Sequence, residues 1–229
     1  MFSDAAAAMA QVLSPLLRGV LLKAVGLAIA LLVVLGIGLN LVLGWLVDIP
    51  TYPWLETIVA LMAGLGILFG ALYLVPAVSS LVAGLFLDDV AEAVERASYP
   101  GRPMGVAQPV LRSVLLSVRF FLLVLSLNLC ALLLLLVPGV NIIIFFVLNA
   151  YLLSREYFEM AAMRYASPEG ARALRRQHAG TVFLAGFLIA PLLMIPILNL
   201  ITPIYGTAFM VHLHQRLLAK SGWRHMEKL

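Results

Sequence analysis

Four stretches of this chain, 24–47, 57–87, 120–154 and 180–211, carry no charged residue. A helix crosses the hydrocarbon core of a bilayer in roughly 20 apolar residues. Each stretch is long enough for that, and a soluble domain would have to hide all four in one core. Composition argues against such a core: 63% of the residues are hydrophobic and 11% charged, against about 45–50% and about 25% in soluble domains. Mean hydropathy is +1.07. The chain reads as an all-α integral membrane protein.

Charge placement sets the expected orientation. The 15 Lys and Arg fall at 18–23, 96–119, 155–176 and 216–228, while the loop after the first apolar stretch carries Asp48 and Glu56 and no basic residue. The positive-inside tendency puts both termini and the 88–119 segment in the cytoplasm. The first two stretches then read as long transmembrane helices, 20–47 and 57–87, the second kinked at Pro76. The first, at 24 apolar residues, is too long for a signal sequence, whose apolar core runs about 7–15 residues. Basic residues flank the third and fourth stretches on both sides, so their ends share one side of the membrane and each stretch must enter and return.

Both returning stretches are interrupted. "VPGVN" divides one at 137–141 and "IPILNLITP" the other at 195–203, each with a Pro-x-x-Asn pattern, Pro138 with Asn141 and Pro196 with Asn199. The arms on either side are short, about 18–27 Å as helices. The breaks carry no charge, unlike turns that emerge into water, and irregular backbone at membrane depth is tolerated only where protein or a cavity surrounds it. Two re-entrant, hemi-penetrating helical hairpins are expected, at 120–154 and 180–213; kinked helices are the alternative. Paired interruptions of this kind point to a transport pathway. The single membrane domain, 1–229, is completed by an interfacial helix at 1–19, cytoplasmic or interfacial helices at 88–119, cytoplasmic helices at 155–178 and a basic cytoplasmic tail at 214–229. Ser167 followed by Pro168 signals a helix start.

Several chemistries find no support. Cys130 is the lone cysteine, and His178, His212, His214 and His225 are scattered, with His212 and His214 on opposite sides of any helix that carries both. No metal site, cofactor or phosphate-binding loop is expected, and so no enzyme and no ATP-driven step. The sequence pI near 9.5 reflects basic cytoplasmic loops and does not suggest a nucleic-acid partner. Arg155, Glu156, Glu159 and Arg164 read as structural ion pairs closing a helix bundle, with Arg155 and Glu159 at i,i+4.

The polar inventory suits an anion. No acidic residue lies within the apolar stretches, so the carboxylate typical of cation coupling is missing. Hydrogen-bond donors are present in Asn128, Asn141, Asn149, Asn199, Thr202, Tyr205 and Thr207. Interhelical packing is the plainer role for each; clustered near paired breaks, they also qualify as pathway groups. At the start of the first span, Arg18, Gly19 and Lys23 could present a guanidinium fork and backbone amides to a tetrahedral dianion, or serve as a positive-inside anchor.

Four segments, "LLRGVLLK", "LFLDDVAEAVE", "NAYLLSREYFEMAAMR" and "IPILNLITPIYGTAFMVHL", occur in the order in which they resemble the CysZ-type sulfate permeases of the etoposide-induced membrane-protein superfamily. The resemblance implies a bacterial inner-membrane permease or channel that admits sulfate, without ATP, for cysteine biosynthesis. It also implies two long transmembrane helices with two hemi-penetrating hairpins, a homodimer or higher homo-oligomer, and the lipid bilayer and sulfate or a related oxyanion as partners. The family's sulfate site falls at Arg18, where Gly19 follows the arginine instead of preceding it. A non-transporting membrane scaffold or assembly factor of the same fold is the alternative.

Overall fold

The computed structural model describes residues 1–46, 85–107 and 140–221, with isolated positions at 58, 61, 109, 122 and 126–127. The second long helix expected at 57–87, the first arm and the "VPGVN" break of the first hairpin, Asn128, Cys130 and the 222–229 tail lie outside the described residues, apart from those isolated positions and the ends at 85–87 and 140–141. Every element among the described residues is helical: α1 (Phe2–Val12), α2 (Pro15–Leu46), α3 (Leu87–Ser98), α4 (Val140–Met163), α5 (Pro168–Gln177), α6 (Ala179–Ile189), a 3-10 turn (Ala190–Met194) and α7 (Pro196–Ser221).

The first boundary differs from the expected 1–19 surface helix. Ser14 bonds back to the Gln11 carbonyl through its amide at 3.0 Å and its hydroxyl at 2.6 Å, closing α1. Pro15 has no amide to continue that helix but is well suited to open a new one. Arg18 and Gly19 therefore belong to α2 and not to the surface helix. From Pro15 to Gly38, α2 is long and apolar enough to cross a membrane. Leu17 and Ala24 pack inward near its foot, while Leu22, Leu27, Leu31, Val34 and Leu41 are exposed. Leucines and valines exposed at such varied spacings leave no solvent face, as on a helix that meets lipid.

The other helices pack around α7, which touches α1, α2, α3, α4, α6 and the 3-10 turn. Ring contacts give directions. Phe146 meets Phe187 while Ala150 and Ser154, further along α4, meet Gly186, so α4 and α6 run antiparallel. Tyr157 lies on Gly206 while Tyr165 meets His214 eight residues on, so α4 and α7 run parallel. The chain consequently reverses between α6 and α7. At the other end of α6, the helix axis bends by 91° from α5 at His178.

The reversal is tighter than the expected break at 195–203. It occupies the 3-10 turn and Ile195, whose extended backbone (φ −106°, ψ 114°) is what a following proline imposes. Pro196 then opens α7, and Pro203 lies inside it. Asn199 and Thr202 are thus helical residues: the Asn199 amide bonds to the Ile195 carbonyl at 2.8 Å and the Thr202 hydroxyl to the Leu198 carbonyl at 3.0 Å. Pro203 lies in a stretch that is buried from Thr202 to Val211.

Gly186 permits the closest approach of α4 and α6. A Cβ there would stand 2.1 Å from the Ala150 carbonyl oxygen and 2.6 Å from Ser154 Cβ, whereas one at Gly26 would meet nothing within 4 Å. Gly186→Ala is expected to destabilise the purified protein by about 1–3 kcal/mol through overpacking. Gly26→Ala should leave the melting temperature in detergent unchanged or slightly raised, since alanine is the better helix former.

Candidate functional site

The foot of α2 presents Arg18, Gly19 and Lys23 on its exposed surface. The Arg18 amide bonds to the Ser14 carbonyl at 3.2 Å, so the helical ladder is already running there and the nearby unpaired amides are those of Leu16 and Leu17. Five residues separate Arg18 from Lys23, which places them about 140° apart around the helix. A Cβ on Gly19 would meet nothing within 4 Å, leaving open space beside Arg18. By contrast Arg96, Arg155, Arg164, Arg172, Arg175 and Arg216 each face a carboxylate. Among the described residues Arg18 has no such partner.

A buried polar network lies where α1, α3, α4 and the C-terminal half of α7 meet. Its densest part is Arg164 on Glu95: Nε donates to Oε1 at 3.0 Å and Nη2 to Oε2 at 3.1 Å. Nη1 donates to Asp88 Oδ1 at 2.8 Å, and Nη2 also reaches the Gly105 carbonyl at 3.2 Å. The Gly105 amide donates to Glu95 Oε2 at 3.1 Å, and a Cβ at Gly105 would strike Arg164 at 2.7 Å. Burial acts to lower the Arg164 pKa, but the hydrogen bonds and charges of Glu95 and Asp88 outweigh it and the net shift is upward. Tyr165, beside Glu95, is raised by burial first and by that carboxylate second.

From Tyr165 the network continues through α7. Gln215 Nε2 donates to the Tyr165 hydroxyl at 2.7 Å, and Arg102 Nη1 donates to the Gln215 carbonyl at 2.9 Å and to its Oε1 at 3.0 Å. The Arg102 guanidinium lies 4.9 Å from the centre of the Tyr99 ring. The Tyr99 hydroxyl meets His212 Nδ1 at 2.7 Å, His212 Nε2 meets Gln11 Oε1 at 2.9 Å, and Gln11 Nε2 donates to Ser98 Oγ at 2.7 Å. His212 and His214 do face different partners. His214 packs between Phe158 and Tyr165, has no hydrogen-bond partner among the described residues, and is pushed by burial to a pKa of about 3.

Sequence reasoning missed Gln11, Glu95, Tyr99, Arg102, Tyr165 and Gln215. A signal for two of the charges was present: Glu95 follows Val90, Ala91 and Val94 on the buried stripe of α3, and Arg164 follows Tyr157 and Ala161 on that of α4. A charge on an apolar stripe requires a partner.

The four expected ion-pair residues do not form one cluster. Arg155 and Arg175 converge on Glu159 at 3.5 and 2.7 Å, tying α5 to α4, while Arg164 belongs to the Glu95 cluster one helical turn further on. Glu156 joins neither. Of the pathway candidates, Thr202 and Tyr205 are buried, Asn149 and Asn199 are half-buried, and the Asn141 side chain lies outside what the structure describes. Asn199, Thr202 and Tyr205 share α7 but lie far along it from the network at His212 and Gln215.

The sequence pattern of the family described as sulfate transporter CysZ/etoposide-induced protein 2.4 matches residues 5–203. The match covers most of the chain, including Arg18, Glu95 and Arg164, and the protein belongs to this family of membrane transporters. A search among curated proteins gave no match.

Two predictions follow from the geometry of the helical head. Arg164→Ala would leave Glu95 buried without its counter-charge and should cost about 3–5 kcal/mol. Removing the exposed Glu92–Arg96 pair by Glu92→Gln should cost under about 1 kcal/mol; unfolding in a mild detergent compares the two. Glu156 provides a pH test. Burial raises its pKa from an ordinary 4.5 to about 7, so the folded state favours the neutral acid. Its contribution is full below the ordinary value and is lost as pH rises through about 7. Glu156→Gln should therefore match the wild type near about pH 4.5 and melt at a higher temperature than it above about pH 7.

Proposed function

We propose that the protein is an ATP-independent sulfate permease of the bacterial inner membrane, supplying sulfate for cysteine biosynthesis. The observation that carries this reading is Arg18, exposed at the foot of the apolar helix α2 and without a carboxylate partner among the described residues, in a chain whose family is one of sulfate transporters. Arg18 recruits the dianion, with Lys23, about 140° further around α2, adding to the positive field at its foot and Gly19 leaving room for the approach. A guanidinium offers the paired donors that fit an oxyanion. Thr202, Tyr205, Asn199, Asn149 and Asn141 supply hydrogen bonds that replace water further in.

The re-entrant arrangement is part of this proposal. The α6 helix with its 3-10 turn measures about 26 Å, and α7 from Pro196 to Val211 about 24 Å. Both fall short of the ~30 Å hydrocarbon core. Basic residues before α6 and after the apolar part of α7 hold both ends at the cytoplasmic face, and the protein assembles as a homodimer or higher homo-oligomer.

Radiolabelled sulfate uptake into proteoliposomes tests the proposal. Saturable uptake without ATP is expected, and Arg18→Ala should raise the half-saturating sulfate concentration about tenfold or more, the loss of one charge-assisted contact. Lys23→Ala should have a smaller effect. A folded, inserted protein with no uptake above empty liposomes would favour a non-transporting membrane scaffold or assembly factor.

A further inference from the structure

At the corner between α1 and α2 one side chain bridges two other elements. Gln11 stands in the last turn of α1 and reaches two other elements: its amide nitrogen donates to Ser98 Oγ at the end of α3, and its amide oxygen meets His212 Nε2 on α7. Its own carbonyl accepts both bonds from Ser14, and the Ser14 carbonyl in turn accepts the Arg18 amide. Hydrogen bonds thus join Gln11 to Ser14 and Ser14 to Arg18 across the corner. Leu17, fully buried beside Arg18, keeps the first turn of α2 from rotating.

We infer that Gln11 is a positioning residue for the anion mouth, bridging Ser98 and His212 so that the corner carrying Arg18 keeps a fixed place on α3 and α7. The inference rests on the assignment of Arg18 to anion recruitment. The chemistry needs a residue with both a donor and an acceptor at the end of a side chain long enough to lie between two helices. An apolar residue of the same shape would leave His212 Nε2 and Ser98 without their partner, and α1 and the corner would be held by the Asp4–Arg216 ion pair and the packing of Ala8, Val12 and Leu17. His212 is itself oriented by Tyr99 through its other nitrogen, so the ring cannot turn to find a substitute without breaking a second bond. Arg18 carries its guanidinium on a long, exposed side chain, and the position of its Cα sets the volume that guanidinium can sample.

Gln11 does not touch the anion, so its effect must pass through Arg18, and a double-mutant cycle isolates that. Sulfate uptake is measured in proteoliposomes for the wild type, Gln11→Met, Arg18→Ala and the double variant. Gln11→Met is expected to raise the half-saturating concentration roughly three- to tenfold, in line with the loss of one or two hydrogen bonds, with little change in maximal rate. In the Arg18→Ala background the same substitution should change it by less than about twofold. A general structural defect would instead lower uptake equally in both backgrounds, and that result overturns the inference. Should Gln11→Met fail to insert, Ser98→Ala removes one of the two ties and should show a smaller rise with the same dependence on Arg18. A strong Arg18→Ala effect beside an inert Gln11→Met removes this inference and leaves the anion mouth standing. An inert Arg18→Ala removes both.

Discussion

The guanidinium of Arg164 is the group around which the helical head is organised. It is almost wholly removed from solvent, and an uncompensated charge in such a place is very expensive. A guanidinium has five N–H donors in a fixed plane. Here Glu95 takes two of them, Asp88 takes two through its carboxylate and carbonyl, and the Gly105 carbonyl takes the last. Meeting that demand draws both ends of α3, the loop after it and the end of α4 to one point. An ammonium, with three donors on a point charge, could not reproduce the arrangement. Gly105 is forced by the same demand, since its amide and carbonyl both serve the ion pair and a side chain would collide with the arginine.

Once the head is fixed, α7 passes its position on to the rest of the molecule. Its residues from Ile204 to Leu218 are almost all buried, and two of the polar side chains there are met by partner elements: Gln215 by Tyr165 and Arg102, His212 by Tyr99 and Gln11. His214, which sits among aromatic rings, is neutral for the same physical reason, because burial disfavours its charged form. The same helix continues to Pro196, so one rigid stave joins the polar head to the reversal at Ile195. A displacement of the head would have to move that reversal or bend α7 at Pro203.

How much of this could be read from the sequence depends on how local each determinant is. Ser167 caps α5 through the Gly170 amide at 3.1 Å, with Pro168 in the first turn, and the Arg155–Glu159 pair sits at its i,i+4 spacing; both are decided by neighbours within one turn. Helicity and an apolar α2 were legible from composition and from the absence of charge. The exact place of the second break was not, because Pro196 reads equally as a breaker and as a first helical residue, and Pro203, which reads as a second breaker, lies inside α7. The Glu95–Arg164 pair joins positions 69 residues apart, and the Gln11–His212 bond positions 201 apart. No periodicity announces such partners. For the candidate site, Arg18 was legible as an unusual basic residue at the foot of an apolar run, but that it has no carboxylate partner among the described residues is visible only in the structure.

On the re-entrant reading, the position of Pro203 has a physical rationale. A proline inside a helix deprives the carbonyl four residues earlier of its usual donor, and within lipid such a defect has no water to turn to. Thr202 beside it is buried, its hydroxyl already committed to the Leu198 carbonyl, and Gly206 one turn on lets the Tyr157 ring of α4 lie directly against the helix. The irregular part of α7 is therefore backed by protein instead of facing the acyl chains. The exposed apolar residues of the hairpin lie elsewhere, at Leu184 and Phe187 on α6 and at Met194 and Ile195 in the turn. On that reading lipid would meet the regular arm and the apolar tip, and the proline-bearing arm would be kept for the interior. Such a division would keep the irregular arm, with the buried side chains of Thr202 and Tyr205, against protein instead of lipid.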